Sequence, residues 1–168
     1  HIWAPELALT SAPFSPPDWR MNAAINIPTR DEAYALLAET GTLPNIIEHS
    51  ELVMRVTEAI CANLRAHQTI SAELACMGAL LHDVTKSESI RNHQRHDHSG
   101  YEFMMRKGFP EIAEIIGRHV YIGDYQSDAP LSEVEIVHYA DKRVKHSIIV
   151  SLDERIADLI DRYGHTEE

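Results

Sequence analysis

Apolar residues recur at helical spacing along almost the whole chain from residue 29 onward, and no segment alternates between apolar and polar positions as a half-buried strand does. Thr29 and Glu32 form the two ends of a capping box, and Gly41 ends the helix that this box begins. A second helix is predicted over residues 44–67. The pattern therefore predicts an all-α fold, a bundle of about six to seven helices.

Capping residues also delimit the next three predicted helices. Ser71 is expected to cap a third helix, which ends near His82. A fourth is predicted over residues 97–107, and Pro110 occupies the first position of a fifth, where its missing N–H group is harmless. The polar stretch 85–95 is predicted to be a loop.

The C-terminal third is predicted to contain one long helix and one shorter helix. A loop over residues 123–129 precedes the long helix, which is predicted over residues 130–150. Ser151 and Glu154 form a second capping box, and the helix that they begin is expected to end at Gly164.

Residues 1–20 differ from the rest of the chain, because they contain four of the eight prolines and both tryptophans. They lack the basic start and the long apolar stretch of a secretory signal. We interpret them as an extended N-terminal arm or an added remnant, and residues 21–168 as a single domain. The tryptophans could anchor the arm to a second copy, which leaves a homodimer open.

Composition and charge exclude several classes of partner. The 168 residues carry a net charge of −11, and a surface this acidic repels the phosphate backbone of a nucleic-acid polymer. No apolar run approaches the ~20 residues that a membrane-spanning helix needs. The two cysteines, Cys61 and Cys76, lie in apolar helical patterns and are predicted to be buried free thiols of a cytoplasmic protein.

Five ionisable residues lie where the helical pattern requires apolar ones. Asp141 is on the inward stripe of the long predicted helix, His49 and His119 share faces with aliphatic residues, and His82 and Asp83 directly follow an apolar helix. A single inward histidine is more often a hydrogen-bonded core residue, and an adjacent Asp often only orients the ring. Convergence from four helices on one core instead indicates a divalent metal with nitrogen and oxygen ligands: Fe, Mn, Zn, Co or Mg.

The order of these residues resembles the H…HD…D signature of the HD-domain superfamily of metal-dependent phosphohydrolases. His49 comes first, the pair His82 and Asp83 is followed by Lys86 three positions later, and Asp141 comes last. The resemblance covers residues 29–159 and implies an all-α HD-domain bundle built around a metal site.

Further histidines resemble those of small bacterial HD proteins similar to diadenosine tetraphosphate hydrolases. His96 stands four residues before Gly100, as in their H-x-x-x-G helix start, and His119 ends an isoleucine-rich helix. This register selects His96 over His93 and His98, which remain alternatives because three histidines crowd one segment.

The resemblance assigns roles to individual residues. It implies that a first metal is held by His49, His82, Asp83 and Asp141. It implies that a second metal is held by His96 and His119, with Asp83 bridging the two. Asp83 would also orient the nucleophile, and Lys86 would contact a phosphate oxygen; without the resemblance, Lys86 is equally well interpreted as a solvated loop lysine.

These assignments predict a hydrolase that binds one or two divalent ions and cleaves a small phosphorylated, nucleotide-like substrate. The same six ligands also resemble the di-iron oxygenases of the superfamily, which is the first alternative function. A non-catalytic metal-binding or nucleotide-binding protein is the second alternative. The sequence leaves open which phosphorylated substrate and which metal are bound.

Overall fold

The computed structural model describes residues 25–65, 68–123 and 129–163. These residues form eight α helices and one short β hairpin. In chain order, the elements are α1 (Arg30–Glu39), α2 (Pro44–Ala62), α3 (Ala72–Leu81), α4 (Lys86–Asn92), α5 (His96–Lys107), α6 (Pro110–Arg118), α7 (Glu133–Lys142), β1 (Val144–Lys145), β2 (Ile148–Ile149) and α8 (Leu152–Tyr163). The all-α prediction is confirmed, since the hairpin is the sole sheet in the described ranges.

Helix α3 lies at the centre of the bundle and packs against α1, α2, α6 and α7. A helix enclosed on this many sides is expected to be apolar around most of its circumference. The sequence of α3, AELACMGALL, is almost entirely apolar, as expected. Leu80 and Leu81 at its end are fully buried. The chain that leaves α3 therefore enters the core, and the next residues are His82 and Asp83.

The predicted caps are present. The Thr29 hydroxyl accepts a hydrogen bond from the Glu32 amide, and the Ser71 hydroxyl accepts one from the Leu74 amide. The Ser151 amide donates to a Glu154 carboxylate oxygen at 2.8 Å, which completes the box before α8. These interactions satisfy amide groups that a helix start leaves without partners.

The prediction of a loop over residues 85–95 is wrong, because α4 occupies most of this stretch. Its buried side chains are serines rather than apolar residues. The Ser87 hydroxyl accepts a hydrogen bond from the Leu43 amide at 2.9 Å, and the Ser89 hydroxyl lies 3.2 Å from that of Ser99. A helix whose buried face is polar has no apolar periodicity to detect.

The helix predicted over residues 130–150 is present only as α7, because α7 ends at Lys142 and the chain then turns back as the hairpin. Val144 pairs with Ile149, and His146 adopts a left-handed conformation (φ 55°) in the turn. The expected inward stripe stops at the buried Val144, because Ile148 is 60% exposed. The β-branched run in this segment favours extended backbone.

Helix α5 packs very closely against α6. A Cβ atom on Gly100 would lie 2.6 Å from Cγ2 of Ile116, which is shorter than any normal contact between two carbon atoms. Glycine at this position therefore allows the contact. It also brings the start of α5, where His96 lies, towards the end of α6, which His119 follows.

Other sequence predictions have partial outcomes. Helix α2 ends at Ala62, five residues before the predicted end, and residues 66–67 lie outside the described ranges. Cys61 and Cys76 are free, as predicted, but half-buried. The predicted arm and Gly164 also lie outside the described residues, so the division of the chain at residue 20 stays a prediction. None of the described helices combines the length and apolar character needed to cross a bilayer.

Candidate metal centre

The structure brings all six predicted ligands together beside the C-terminal end of α3. His49 comes from α2, His96 begins α5, and Asp141 lies in the last turn of α7. The others directly follow helix ends: His82 and Asp83 follow α3, and His119 follows α6. Their role as metal ligands stays a prediction, and the geometry of their ligand atoms tests whether a cation fits.

The first ligand group consists of His49, His82, Asp83 and Asp141. Nε2 of His49 lies 3.1 Å from Oδ1 of Asp141. Nε2 of His82 lies 3.3 Å from Oδ2 of Asp83 and 3.6 Å from Oδ1 of Asp141. Ligand atoms of His49, His82 and Asp83 all fall within 4.8 Å of one another, a spacing at which one cation can bind all three. Asp141 lies beside this set, next to His49 and His82, rather than within it.

The second ligand group consists of Asp83, His96 and His119. Oδ1 of Asp83 lies 3.3 Å from Nε2 of His96 and 3.7 Å from Nε2 of His119. The two imidazole nitrogens are 3.2 Å apart, and all three ligand atoms fall within 4.8 Å. Asp83 therefore belongs to both groups, with one carboxylate oxygen towards each.

The two alternative histidines lie outside these groups. His93 is exposed and ends α4 in a left-handed conformation (φ 56°). His98 is also exposed, although it lies only two residues after His96. The histidine that stands four residues before Gly100, His96, is therefore the one whose side chain the fold turns into the site.

Backbone carbonyl groups orient three of the four imidazoles. Nδ1 of His49 lies 2.8 Å from the carbonyl oxygen of His146. Nδ1 of His82 lies 2.7 Å from the carbonyl oxygen of Ala79, and Nδ1 of His119 lies 2.6 Å from the carbonyl oxygen of Ile116. Because a carbonyl oxygen only accepts, Nδ1 must carry the proton in each ring. In the neutral ring, the lone pair is then on Nε2, which faces the ligand groups.

Two atoms at the centre of the site are buried without hydrogen-bond partners: Nε2 of His82 and Oδ1 of Asp83. Both side chains are only 1% exposed. Unsatisfied polar atoms are costly at such depth, and a divalent cation would satisfy both. The donor set, imidazole nitrogens and carboxylate oxygens without sulfur, fits Mn, Fe, Zn or Co. The residues present therefore fit a divalent metal.

Electrostatics keeps both carboxylates ionised. Burial by itself would raise the pKa of Asp83, but His82 outweighs this effect and holds the pKa well below its usual value. The pKa of Asp141 is likewise held low against burial, by the hydrogen bond from His49 and by the adjacent imidazole of His82. Burial lowers the pKa of His119 to about 3, so this ring is neutral. Burial opposes a charge on His82, but Asp83 and Asp141 raise its pKa to about 10, so a cation that binds here must displace the proton from Nε2 of this ring.

Two lysines contact the carboxylates of the site. Nζ of Lys86 lies 2.6 Å from Oδ2 of Asp83, and Nζ of Lys142 lies 2.6 Å from Oδ2 of Asp141. Lys86 is the first residue of α4 rather than a loop residue, and it is 38% exposed. It is therefore anchored to the metal centre while its ammonium group stays accessible to solvent.

A cavity of about 270 Å³ opens beside the first ligand group. Its polar lining includes Asn45, Glu48, His49, Asp83, Lys86, His146 and Arg155. Sequence reasoning missed His146 and Arg155, because the first lay within the long predicted helix and the second lay among the acidic residues of the last predicted helix. A polar residue that faces a cavity has the same pattern in a sequence as one that faces solvent.

Comparison with known proteins gives one match. A family model described as the HD domain matches residues 46–163, well over half of the chain. Both ligand groups, Lys86 and the cavity residues Glu48 and Arg155 fall within that span. No curated protein and no solved structure matches the chain.

Proposed function

The chain belongs to the HD-domain family, whose members are generally metal-dependent hydrolases, and from this premise we propose that it hydrolyses a small phosphoester or phosphoanhydride, nucleotide-like in character. The observation that carries the proposal is the shared carboxylate of Asp83, with oriented imidazoles on either side of it. Two ligand groups that share one carboxylate suit the paired-metal sites of phosphoryl-transfer enzymes.

The ligand groups would hold one or two divalent ions, with Asp83 between them. The chemistry that such an ion supplies is Lewis acidity towards a phosphoryl oxygen and a water of lowered pKa. Asp83 is ionised, so its carboxylate can accept a hydrogen bond from the attacking water and orient it. The backbone-bound imidazoles keep their Nε2 atoms fixed while this happens.

Lys86 is the residue that we assign to the substrate's phosphate. Its ammonium group lies beside Asp83, lines the cavity and is partly exposed. A cation in this position stabilises the negative charge that develops on the phosphoryl oxygens in the transition state. The contact with Asp83 keeps the lysine side chain in place for that role.

A di-iron oxygenase remains the second candidate, because the shared Asp83 suits two irons as well as two hydrolytic metals. A non-catalytic metal-binding or nucleotide-binding protein is the third, and the cavity beside the ligands disfavours it, since a structural metal site is closed. Oxygen uptake with bound iron would favour the oxygenase. Tight nucleotide binding without turnover would favour the binding protein.

The first experiment measures metal content by mass spectrometry, on protein purified without chelator or oxygen. We expect Asp83→Asn to lose metal from both ligand groups, Asp141→Asn to lose it from the first, and His119→Gln to lose it from the second. The exposed Asp161 provides the matched control, because Asp161→Asn removes a carboxylate outside the ligand groups. Absence of metal from the wild-type chain, even after reconstitution with Mn or Fe, would contradict the proposal.

The second experiment tests turnover on a panel of phosphomonoesters and phosphoanhydrides. We expect Lys86→Gln to lower kcat by about 100-fold, the typical cost of removing one donor to a developing negative charge. Its metal content should match that of the wild-type chain, since Lys86 is not a ligand. Full activity in Lys86→Gln would remove the lysine from the mechanism.

A further inference from the structure

Arg155, near the start of α8, lies in the wall of the cavity that Asp83 and Lys86 also line. Its side chain is only 15% exposed, and Nη1 donates a hydrogen bond to Oδ2 of Asp158 at 2.9 Å. Nε of the same guanidinium group is buried and has no hydrogen-bond partner. A buried donor that is left unpaired costs free energy, so the contacts within the protein leave this guanidinium group only partly satisfied.

The charges around Arg155 leave a positive group at this wall. Asp158, which is 9% exposed, also accepts an ion pair from Lys145, whose Nζ atom lies 2.9 Å from Oδ1. Two cations therefore share one carboxylate, and the group of three retains one positive charge. The cavity lining also carries Lys86 and the carboxylates of Glu48 and Asp83. In a chain with a net charge of −11, a local positive group selects where an anion can bind.

A purely structural role explains these contacts less well. Arg155 and Asp158 are three residues apart on one helix, and such pairs contribute only a few tenths of a kcal/mol, roughly 0.2–0.5. Asp158 already has Lys145 as a partner, so Arg155 is not needed to neutralise it. A guanidinium group also has a planar fork of donors, which matches two oxygens of one phosphate group.

We propose that Arg155 is a substrate-binding residue that donates to the phosphate group of the substrate, and that the substrate is a small phosphomonoester. This inference rests on the proposed hydrolase function and deepens it. The cavity volume of about 270 Å³ lies just below the 300–1,000 Å³ typical of small-molecule sites, which favours a compact substrate over a dinucleoside polyphosphate. Lys86 and Arg155 then bind one phosphate group from two positions on the same cavity.

Inorganic phosphate is the probe for this site, titrated calorimetrically into the metal-loaded full chain. We expect Arg155→Gln to bind phosphate about 10- to 100-fold more weakly, the range for a lost hydrogen bond between charged groups. Arg155→Lys should recover little of this loss, because an ammonium group lacks the planar fork but can still pair with Asp158. The exposed Arg106 of α5 provides the matched control, and Arg106→Gln should bind like the wild-type chain.

Kinetics on a phosphomonoester completes the test. We expect KM to rise in both Arg155 variants by a factor similar to the loss of phosphate affinity, and metal content to stay unchanged. Hydrolysis with unchanged KM and phosphate affinity in Arg155→Lys would overturn the inference and leave the hydrolase function standing. Phosphate binding that depends on Arg155, without hydrolysis of any phosphoester, would support the residue's role and overturn the function. A higher kcat/KM for diadenosine tetraphosphate than for adenosine monophosphate would overturn the proposed substrate class.

Discussion

His82 and His119 are oriented by the same local device. Each follows the last residue of a helix, and each ring donates from Nδ1 to the carbonyl of the residue three positions earlier, Ala79 or Ile116. The end of a helix leaves carbonyl groups without intrahelical partners, so a histidine at this position supplies the missing donor. The same hydrogen bond turns Nε2 away from the helix and into the ligand groups.

His138 extends this arrangement and gives a residue-scale prediction. Its Nδ1 atom donates to the His119 carbonyl at 2.6 Å, and burial lowers its pKa, so the ring is neutral near pH 7. We expect His138→Ala to weaken metal binding at the second ligand group about tenfold, the lower end for loss of an outer-shell contact. Competition with a chromophoric chelator would measure the affinity.

The control for this prediction is His98→Ala, because His98 is exposed and lies outside both ligand groups. Its metal affinity should equal that of the wild-type chain. Wild-type affinity in His138→Ala would show that the end of α6 holds His119 without this hydrogen bond.

At the residue scale, the sequence predicted the members of the ligand groups better than it predicted their surroundings. Asp141 was identifiable because an acidic residue on an apolar stripe stands out, and His96 because of its spacing from Gly100. Arg155 and His146 were not identifiable, since each lies among other polar residues. Which ring nitrogen carries the proton also depends on a carbonyl that only the folded chain supplies.

At the scale of elements, the contact between α5 and α6 gives the second prediction. Gly100→Ala would place a Cβ atom 2.6 Å from Cγ2 of the fully buried Ile116 and 3.3 Å from the Thr85 hydroxyl. Overpacking typically costs about 1–3 kcal/mol, against about 1 kcal/mol gained when alanine replaces glycine in a helix. We therefore expect the free energy of unfolding to fall by up to about 2 kcal/mol, measured by urea denaturation.

The same variant should also lose affinity for the second metal, because His96 and His119 lie on the two elements that would separate. Glu102→Ala, an exposed substitution in α5, is the matched control and should change neither quantity. If Gly100→Ala were as stable as the wild-type chain, the core around Ile116 would be more adaptable than its packing indicates.

The two elements that hydrophobic periodicity assigned wrongly both line the cavity. Helix α4 carries Lys86 and buries serines, and the hairpin supplies His146 from a turn without the usual glycine or asparagine. Both segments present polar groups to the cavity. They therefore lack the apolar pattern on which prediction of an element depends, whereas the apolar α3 was predicted correctly.

At the scale of the whole molecule, metal binding should stabilise the fold. A ligand present at 100 times its Kd stabilises the native state by about 2.7 kcal/mol, and 1 kcal/mol shifts Tm by about 2–4 °C in a chain of this size. We expect Tm, measured by calorimetry, to fall by about 5–10 °C when a chelator removes the metal. Asp83→Asn should show little response to the chelator, and the Asp161→Asn control should respond like the wild-type chain.

The distance in sequence between His49 and Asp141, 92 residues, gives the first ligand group an influence on folding order. Any cation held by both residues closes a loop that contains most of the bundle, and closing so long a loop costs chain entropy that packing must first repay. Asp141 is also the last of the six ligands to leave a ribosome. The first group therefore lacks its fourth ligand until α7 has docked, so a nascent chain that stops before α7 offers only His49, His82 and Asp83 to an ion, and we expect full metal affinity to follow the docking of α7.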